Sequence, residues 1–121
     1  MRILPIYTSR GDAGALVAYP HVYNPQGEWV GFITAGREVY SVLGYYVGYL
    51  TEDRRIVRER NPSSATPHLE APLPPDNIRP PATIPLAPLM SELTYSTVDV
   101  LLEEPERLHT LDVGELRQDM D

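Results

Sequence analysis

Residues 22–38 read VYNPQGEWVGFITAGRE and residues 39–55 read VYSVLGYYVGYLTEDRR, two 17-residue blocks that align without a gap. Seven positions are identical: Val22 with Val39, Tyr23 with Tyr40, Gly27 with Gly44, Val30 with Val47, Gly31 with Gly48, Thr34 with Thr51, and Arg37 with Arg54. Working outward, a looser copy precedes them, with Ile6, Tyr7 and Gly11 in the roles of Val22, Tyr23 and Gly27, and Val17, Ala18 and Tyr19 in those of Val30, Gly31 and Phe32. After Arg55, Ile56-Val57 opens a fourth unit that does not continue. So short a period marks a repeating supersecondary unit.

Each unit reads as strand, turn, strand, turn. Asn24-Pro25-Gln26-Gly27 carries the residue preferences of a type I reverse turn, and Ser41–Gly44 and Thr8–Gly11 stand in the same place. Thr34–Arg37 and Thr51–Arg54 make the opposite turns, so the expected fold is all-β, a meander of hairpins. Side-chain alternation predicts Val30 and Phe32 on one strand face and Trp29, Gly31 and Ile33 on the other. Both faces are largely apolar, so the strands must be covered on two sides. Glycine inside a strand marks close approach of another backbone or a β-bulge. On the first reading Gly31, Gly48 and Ala18 lie where the repeats converge on a crowded pseudo-symmetric axis.

The tandem pattern V-Y-x-x-x-G-x-x-V-G-[FY], followed by a proline-rich stretch and a short closing segment, resembles the bacterial four-fold β-flower domain family over about residues 4–103. The resemblance implies hairpin petals around a pseudo-four-fold axis and carries no established activity with it. In that family the proline stretch is typically basic and the closing segment holds Trp or Phe. Here Arg79 is the one cation of the strap, Tyr95 is the one aromatic of the closing segment, and an acidic extension follows.

The two halves of the chain differ in chemistry. Residues 1–60 hold seven Arg against six Asp or Glu, and residues 61–121 hold three against eleven, so the net charge of -7 belongs to the C-terminal half. Seven of the eight tyrosines lie before residue 50, whereas nine of the thirteen prolines fall between Pro62 and Pro88. Dense proline removes ladder donors and fixes φ for extended chain. The organisation read from this is a hairpin domain over residues 1–60, a proline-rich extended strap over 61–92, and a short helical or acidic segment over 93–121.

Pro72-Leu73-Pro74-Pro75 and Pro85-Leu86-Ala87-Pro88 both fit P-x-x-P, a pattern that aromatic grooves recognise in polyproline II chains and that spacers also contain. A folded segment of about 60 residues buries little surface. The preferred expectation is therefore that Leu73, Ile78, Ile84, Leu86 and Leu89 lie across the apolar hairpin faces and complete the core. Ser96-Thr97-Val98-Asp99 reads as a capping box that opens a short helix, while the partial alternation of residues 98–102 reads as a strand. Glu104, Glu106, Asp112, Glu115, Asp119 and Asp121 read as solvated charge.

Arg54, Arg55, Arg58 and Arg60 form the one cationic cluster, and with Tyr95 they are the candidate binding residues. The acidic tail could settle on this cluster in the same chain or in a second copy. The other reading is a solvated surface neutralised by Glu52, Asp53 and Glu59.

No catalytic pattern emerges. The sequence has no cysteine and no lysine, which excludes disulfides, thiol chemistry and Schiff bases. His21, His68 and His109 are too far apart for a metal motif, and no phosphate-binding glycine loop or nucleophile elbow is present. No cofactor or metal is expected. Net acidity argues against nucleic acid as a partner, and no stretch reaches the roughly 18 to 20 apolar residues of a membrane span. The first residues lack a secretory pattern, so a cytoplasmic location is expected. The reading is a non-catalytic module for protein association or self-assembly. The alternative is a small-ligand or carbohydrate site on the Tyr- and Trp-rich strands.

Overall fold

The computed structural model describes residues 2–62 and 67–112. It shows eight antiparallel strands in one curled sheet, with each strand hydrogen-bonded to the next in sequence order. They are β1 (Leu4–Tyr7), β2 (Ala13–Ala18), β3 (His21–Tyr23), β4 (Trp29–Ile33), β5 (Glu38–Ser41), β6 (Tyr46–Leu50), β7 (Ile56–Glu59) and β8 (Thr97–Asp99). The all-β meander expected from the repeat is present. One short helix, α1 (Val100–Glu103), follows β8, and a 3-10 turn spans Pro105–Arg107. Ile56-Val57, the apparent start of an unfinished unit, becomes β7 and finds its partner far along the chain, with Val57 opposite Asp99 and Glu59 opposite Thr97.

Five turns share one plan. In each, the first residue both donates its amide across the turn and accepts the amide three residues on. Examples are Asn24, bonded to Glu28 and Gly27 at 2.8 and 2.9 Å, and Thr51, bonded to Arg55 and Arg54 at 2.8 and 3.0 Å. Thr8, Thr34 and Ser41 repeat the pattern. All five first residues are Thr, Ser or Asn, and each side-chain oxygen accepts an amide within its own turn. That chemistry is why these residue types recur there. The fourth residue is left-handed in every case: Gly11, Gly27 and Gly44 at φ 85 to 92°, but Arg37 and Arg54 at 67° and 65°. Gly36, the residue best suited to a left-handed turn, is not the one that adopts it.

The expected alternation along β4 is overturned. Tyr23 faces Trp29 and Val22 faces Gly31, so Val30 is an extra residue in the strand. The same irregularity recurs where Tyr40 faces Tyr46 and Val39 faces Gly48. Such a bulge turns the following side chain toward the opposite face. Val30 therefore joins Ile33, Val22, Val39, Val47 and Ile56 in the main core, which Val100 and Leu108 complete from the C-terminal segment. A Cβ on Gly31 would collide with the Tyr40 carbonyl oxygen, and one on Gly48 with that of Val57, a contact repeated 17 residues on.

The helix opens later than a Ser96 capping box would have it. Asp99 is the N-cap, its carboxylate accepting the Leu102 amide at 3.3 Å. Residues 97–99 are strand and 100–103 helix, so both readings of this stretch hold in sequence.

Candidate functional site

The proline-rich residues 67–93 have no regular secondary structure, apart from one isolated bridge between Tyr45 and His68, and pass over the hairpin turns in reverse order. Leu69 donates its amide to the Gly44 carbonyl at 2.9 Å, and Ile78 donates to Gly27 at 2.9 Å. Ala87 lies closest to Gly11, 4.0 Å from where its Cβ would stand. The three contacts are nine residues apart along the segment. A Cβ on Gly27 would strike the carbonyl oxygen of Ile78, and one on Gly44 that of Leu69. Glycine thus serves both the turn and the contact. Further along, the Tyr7 hydroxyl donates to the Pro85 carbonyl at 2.7 Å.

This attachment uses main-chain atoms, and it corrects the expected burial of the segment's apolar side chains. Ile78 and Ala71 pack against the second core cluster of Leu16, Ala18, Tyr23, Trp29 and Val42. Leu73, Leu86 and Leu89 are 90%, 96% and 102% exposed, and Ile84 is also exposed. They point away where the segment meets the hairpins with its backbone, while Ile78 and Ala71 are the side chains it turns inward.

The four clustered arginines do not form one patch. Arg55 is buried and donates to both Asp53 oxygens at 3.2 and 2.7 Å, to Ser9 Oγ at 2.9 Å and to the Ser91 carbonyl at 2.9 Å. Its hydrogen bond holds the Asp53 carboxyl below its ordinary value, against the opposing effect of burial. Ser9 in turn donates its amide and hydroxyl to the buried Asp99 at 2.7 and 2.6 Å. The first turn, the last turn and β8 are tied at this point, and the Tyr7 amide also meets the Arg54 carbonyl at 2.8 Å.

Arg58 forms a two-pronged pair with Glu104 at 2.6 and 2.8 Å, and Arg107 adds a second cation to that carboxylate at 2.9 Å. Glu104 is held below its ordinary carboxylate value chiefly by the Arg58 hydrogen bonds, and Arg58 is raised by the same bonds. Arg60 donates to the Tyr95 carbonyl at 2.7 Å, lies 4.5 Å from the centre of the exposed Tyr95 ring, and faces Glu103 at 3.5 Å. Glu103 and Glu104 thus engage Arg60 and Arg58 within the same chain, while Asp53 engages Arg55. Arg54 stands apart, with no ion pair or side-chain hydrogen bond among the described residues. Glu115, Asp119 and Asp121 lie outside those residues.

The aromatic residues divide between core and surface. Trp29, Tyr23 and Tyr40 are buried, and Tyr40 stacks on Phe32 at 5.3 Å. Tyr45 and Tyr49 are exposed, Tyr45 lying edge-on to His68 at 4.8 Å. His21 faces the rings of Tyr23 and Trp29, and burial lowers its pKa. Among the described residues no three His, Asp or Glu side chains gather as metal ligands, and no helix is long and apolar enough to cross a membrane.

Sequence reasoning missed Ser9 and Asp99 as parts of these arrangements, held Glu104 only within the acidic tail that could settle on the arginines, and missed Arg37, which donates to the carbonyls of Leu50 and Thr51. For Arg37 the signal was at hand in its repeat equivalence to Arg54. Serine and the two carboxylates carry no local mark, because their partners lie 46 to 90 residues away. No family model matches this chain, and no curated protein or solved structure matches it either.

Proposed function

We propose that the chain is a non-catalytic protein-association module in which the curled sheet is a scaffold and the proline-rich segment is a strap that presents apolar side chains to a partner. The observation that carries this reading is the near-complete exposure of Leu73, Leu86 and Leu89 on a segment tied down at Leu69, Ile78 and Pro85. Ordering a flexible segment is a principal cost of association. A strap ordered beforehand by its own domain leaves less of that cost to the binding step. Both P-x-x-P stretches lie among these exposed residues, and polyproline chains favour recognition for the same entropic reason.

The reading includes a pseudo-symmetric arrangement of hairpin petals, as the β-flower resemblance implies. Its support is the 17-residue recurrence of the turn bonds, the bulges and the Gly31 and Gly48 contacts. The fourth petal is then β7 with β8.

The test compares the full chain with an L73S/L86S/L89S variant, each immobilised and offered a panel of polyproline-recognising domains and a second copy of the chain. Retention by the natural chain and its loss in the variant, with unchanged circular dichroism, supports the reading. A natural chain that stays monomeric and retains none of these partners overturns it.

A further inference from the structure

Three of the five turns use glycine at their left-handed position, and two use arginine. A residue with a Cβ is disfavoured there, and such outliers persist where the side chain has a use. Arg37 has one inside the fold: its Nε and Nη2 donate to the carbonyls of Leu50 and Thr51 at 2.8 and 2.7 Å, bracing one unit on the next. Its backbone carbonyl accepts the Leu50 amide at 2.8 Å. At Arg54 the corresponding amide comes from Tyr7, where the first hairpin closes on the last turn. The guanidinium there finds no acceptor among the described residues, although Arg54 is only half-exposed.

Both arginines line one cavity of about 300 Å³. That is the lower end of the roughly 300 to 1,000 Å³ usual for small-ligand sites. Its apolar wall is Leu4, Ile6, Val17 and Leu50, with Ile6 and Val17 buried at the inner end. Arg37 and Glu52 are exposed and mark the mouth. The site therefore combines an apolar wall, one cation without a partner among the described residues and a second with only part of its donors engaged. Glu52, at the same mouth, disfavours a doubly charged group.

We propose that this seam cavity binds a small monocarboxylic acid with an apolar body, its carboxylate on the Arg54 guanidinium and its body against Leu4, Val17 and Leu50. A carboxylate matches the planar guanidinium fork. The single charge suits a mouth that also holds Glu52. The cavity has no strap residue in its lining, although Arg54 and Glu52 also border Pro85, Leu86 and Pro88, and the proposal does not rest on the association reading.

The test titrates the full chain with hexanoate, hexanamide and hexyl phosphate, following the methyl signals of Leu4, Val17 and Leu50 by NMR and the heat by calorimetry. Arg54→Gly and Arg54→Lys are measured beside the natural chain. Saturable hexanoate binding is expected, weakened at least about tenfold in Arg54→Gly and for the neutral amide, since each removes a charge-assisted contact. Arg54→Gly suits the left-handed turn, so its melting temperature should not fall. Loss of binding there cannot then be loss of fold. Equal affinity for hexanamide, tighter binding of hexyl phosphate, unchanged affinity in Arg54→Gly, or no saturable shift at millimolar hexanoate would each overturn the proposal.

Discussion

Gly27 and Ile78 meet main chain to main chain: the Ile78 amide donates to the Gly27 carbonyl at 2.9 Å, and the Ile78 carbonyl occupies the space a Gly27 side chain would need. Gly27→Ala therefore meets two obstacles, the positive φ of the turn and the strap itself. We expect about 1 to 3 kcal/mol of lost stability by chemical denaturation. Thermolysin should also cleave faster at the Asn77–Ile78 bond, at the contact itself. Unchanged cleavage would mean that the strap is held elsewhere.

The Arg58–Glu104 pair joins β7 to the turn after α1, and both side chains are mostly shielded, at 17% and 24% exposure. Glu104→Gln keeps the shape and removes the charge, and should cost about 1 to 2 kcal/mol at neutral pH. Urea denaturation of the variant and the natural chain gives the difference directly.

The same carboxylate sets an acid limit. Its folded pKa lies below its ordinary value of 4.5, so the folded state holds fewer protons than the unfolded state between the two. Its contribution is fully present above the unfolded value and is lost as pH falls through the folded one. Asp53, depressed from 3.8, acts in the same direction. Melting temperatures should decline below about pH 4.5, with a shallower slope in Glu104→Gln.

Arg37 and Arg54 share a turn but not a set of partners, and glycine should separate them. Arg54→Gly relieves the left-handed strain with no side-chain hydrogen bond lost among the described residues, and should raise stability by up to about 1 kcal/mol. Arg37→Gly loses two bonds to Leu50 and Thr51, which offset the relief, so it should be neutral or up to about 1 kcal/mol less stable. Thermal unfolding of both variants checks the ordering.

Leucines of the strap and of the closing segment should behave oppositely. Leu73→Ser and Leu86→Ser change almost wholly exposed residues and should fall within about 0.5 kcal/mol of the natural chain. Leu108→Ala empties part of the main core and should cost about 2 to 5 kcal/mol. Denaturation midpoints decide this.

These variants also mark how far the letters carried. The hairpins and their turns were legible, because a 17-residue identity pattern with Thr, Ser or Asn three positions before Gly or Arg restates the turn chemistry. The bulges at Val30 and Val47 were legible only as one of two readings of the neighbouring Gly31 and Gly48, and the expected alternation took no account of an extra residue, which reverses the faces after it. The docking of the strap was hidden for another reason. It is made by carbonyls and amides that every residue carries, so Leu69 left no mark, and of the apolar residues expected on the hairpin faces Ile78 packs there while Leu73, Leu86 and Leu89 do not. The arginine cluster was visible as a group, yet its members separate once the chain is folded, and Arg54 is the one left without a side-chain partner among the described residues.

The order in which the strap revisits the hairpins has a kinetic meaning. Gly44 with Leu69 lies inside Gly27 with Ile78, which lies inside Tyr7 with Pro85, like brackets closed one within another. Each inner closure shortens the free chain that the next must gather, so these three contacts can close outward from the middle, while the pairing of Val57 with Asp99 crosses them and closes separately. Tyr7 and Pro85, the widest-spaced pair of the three, are then the last to be fastened.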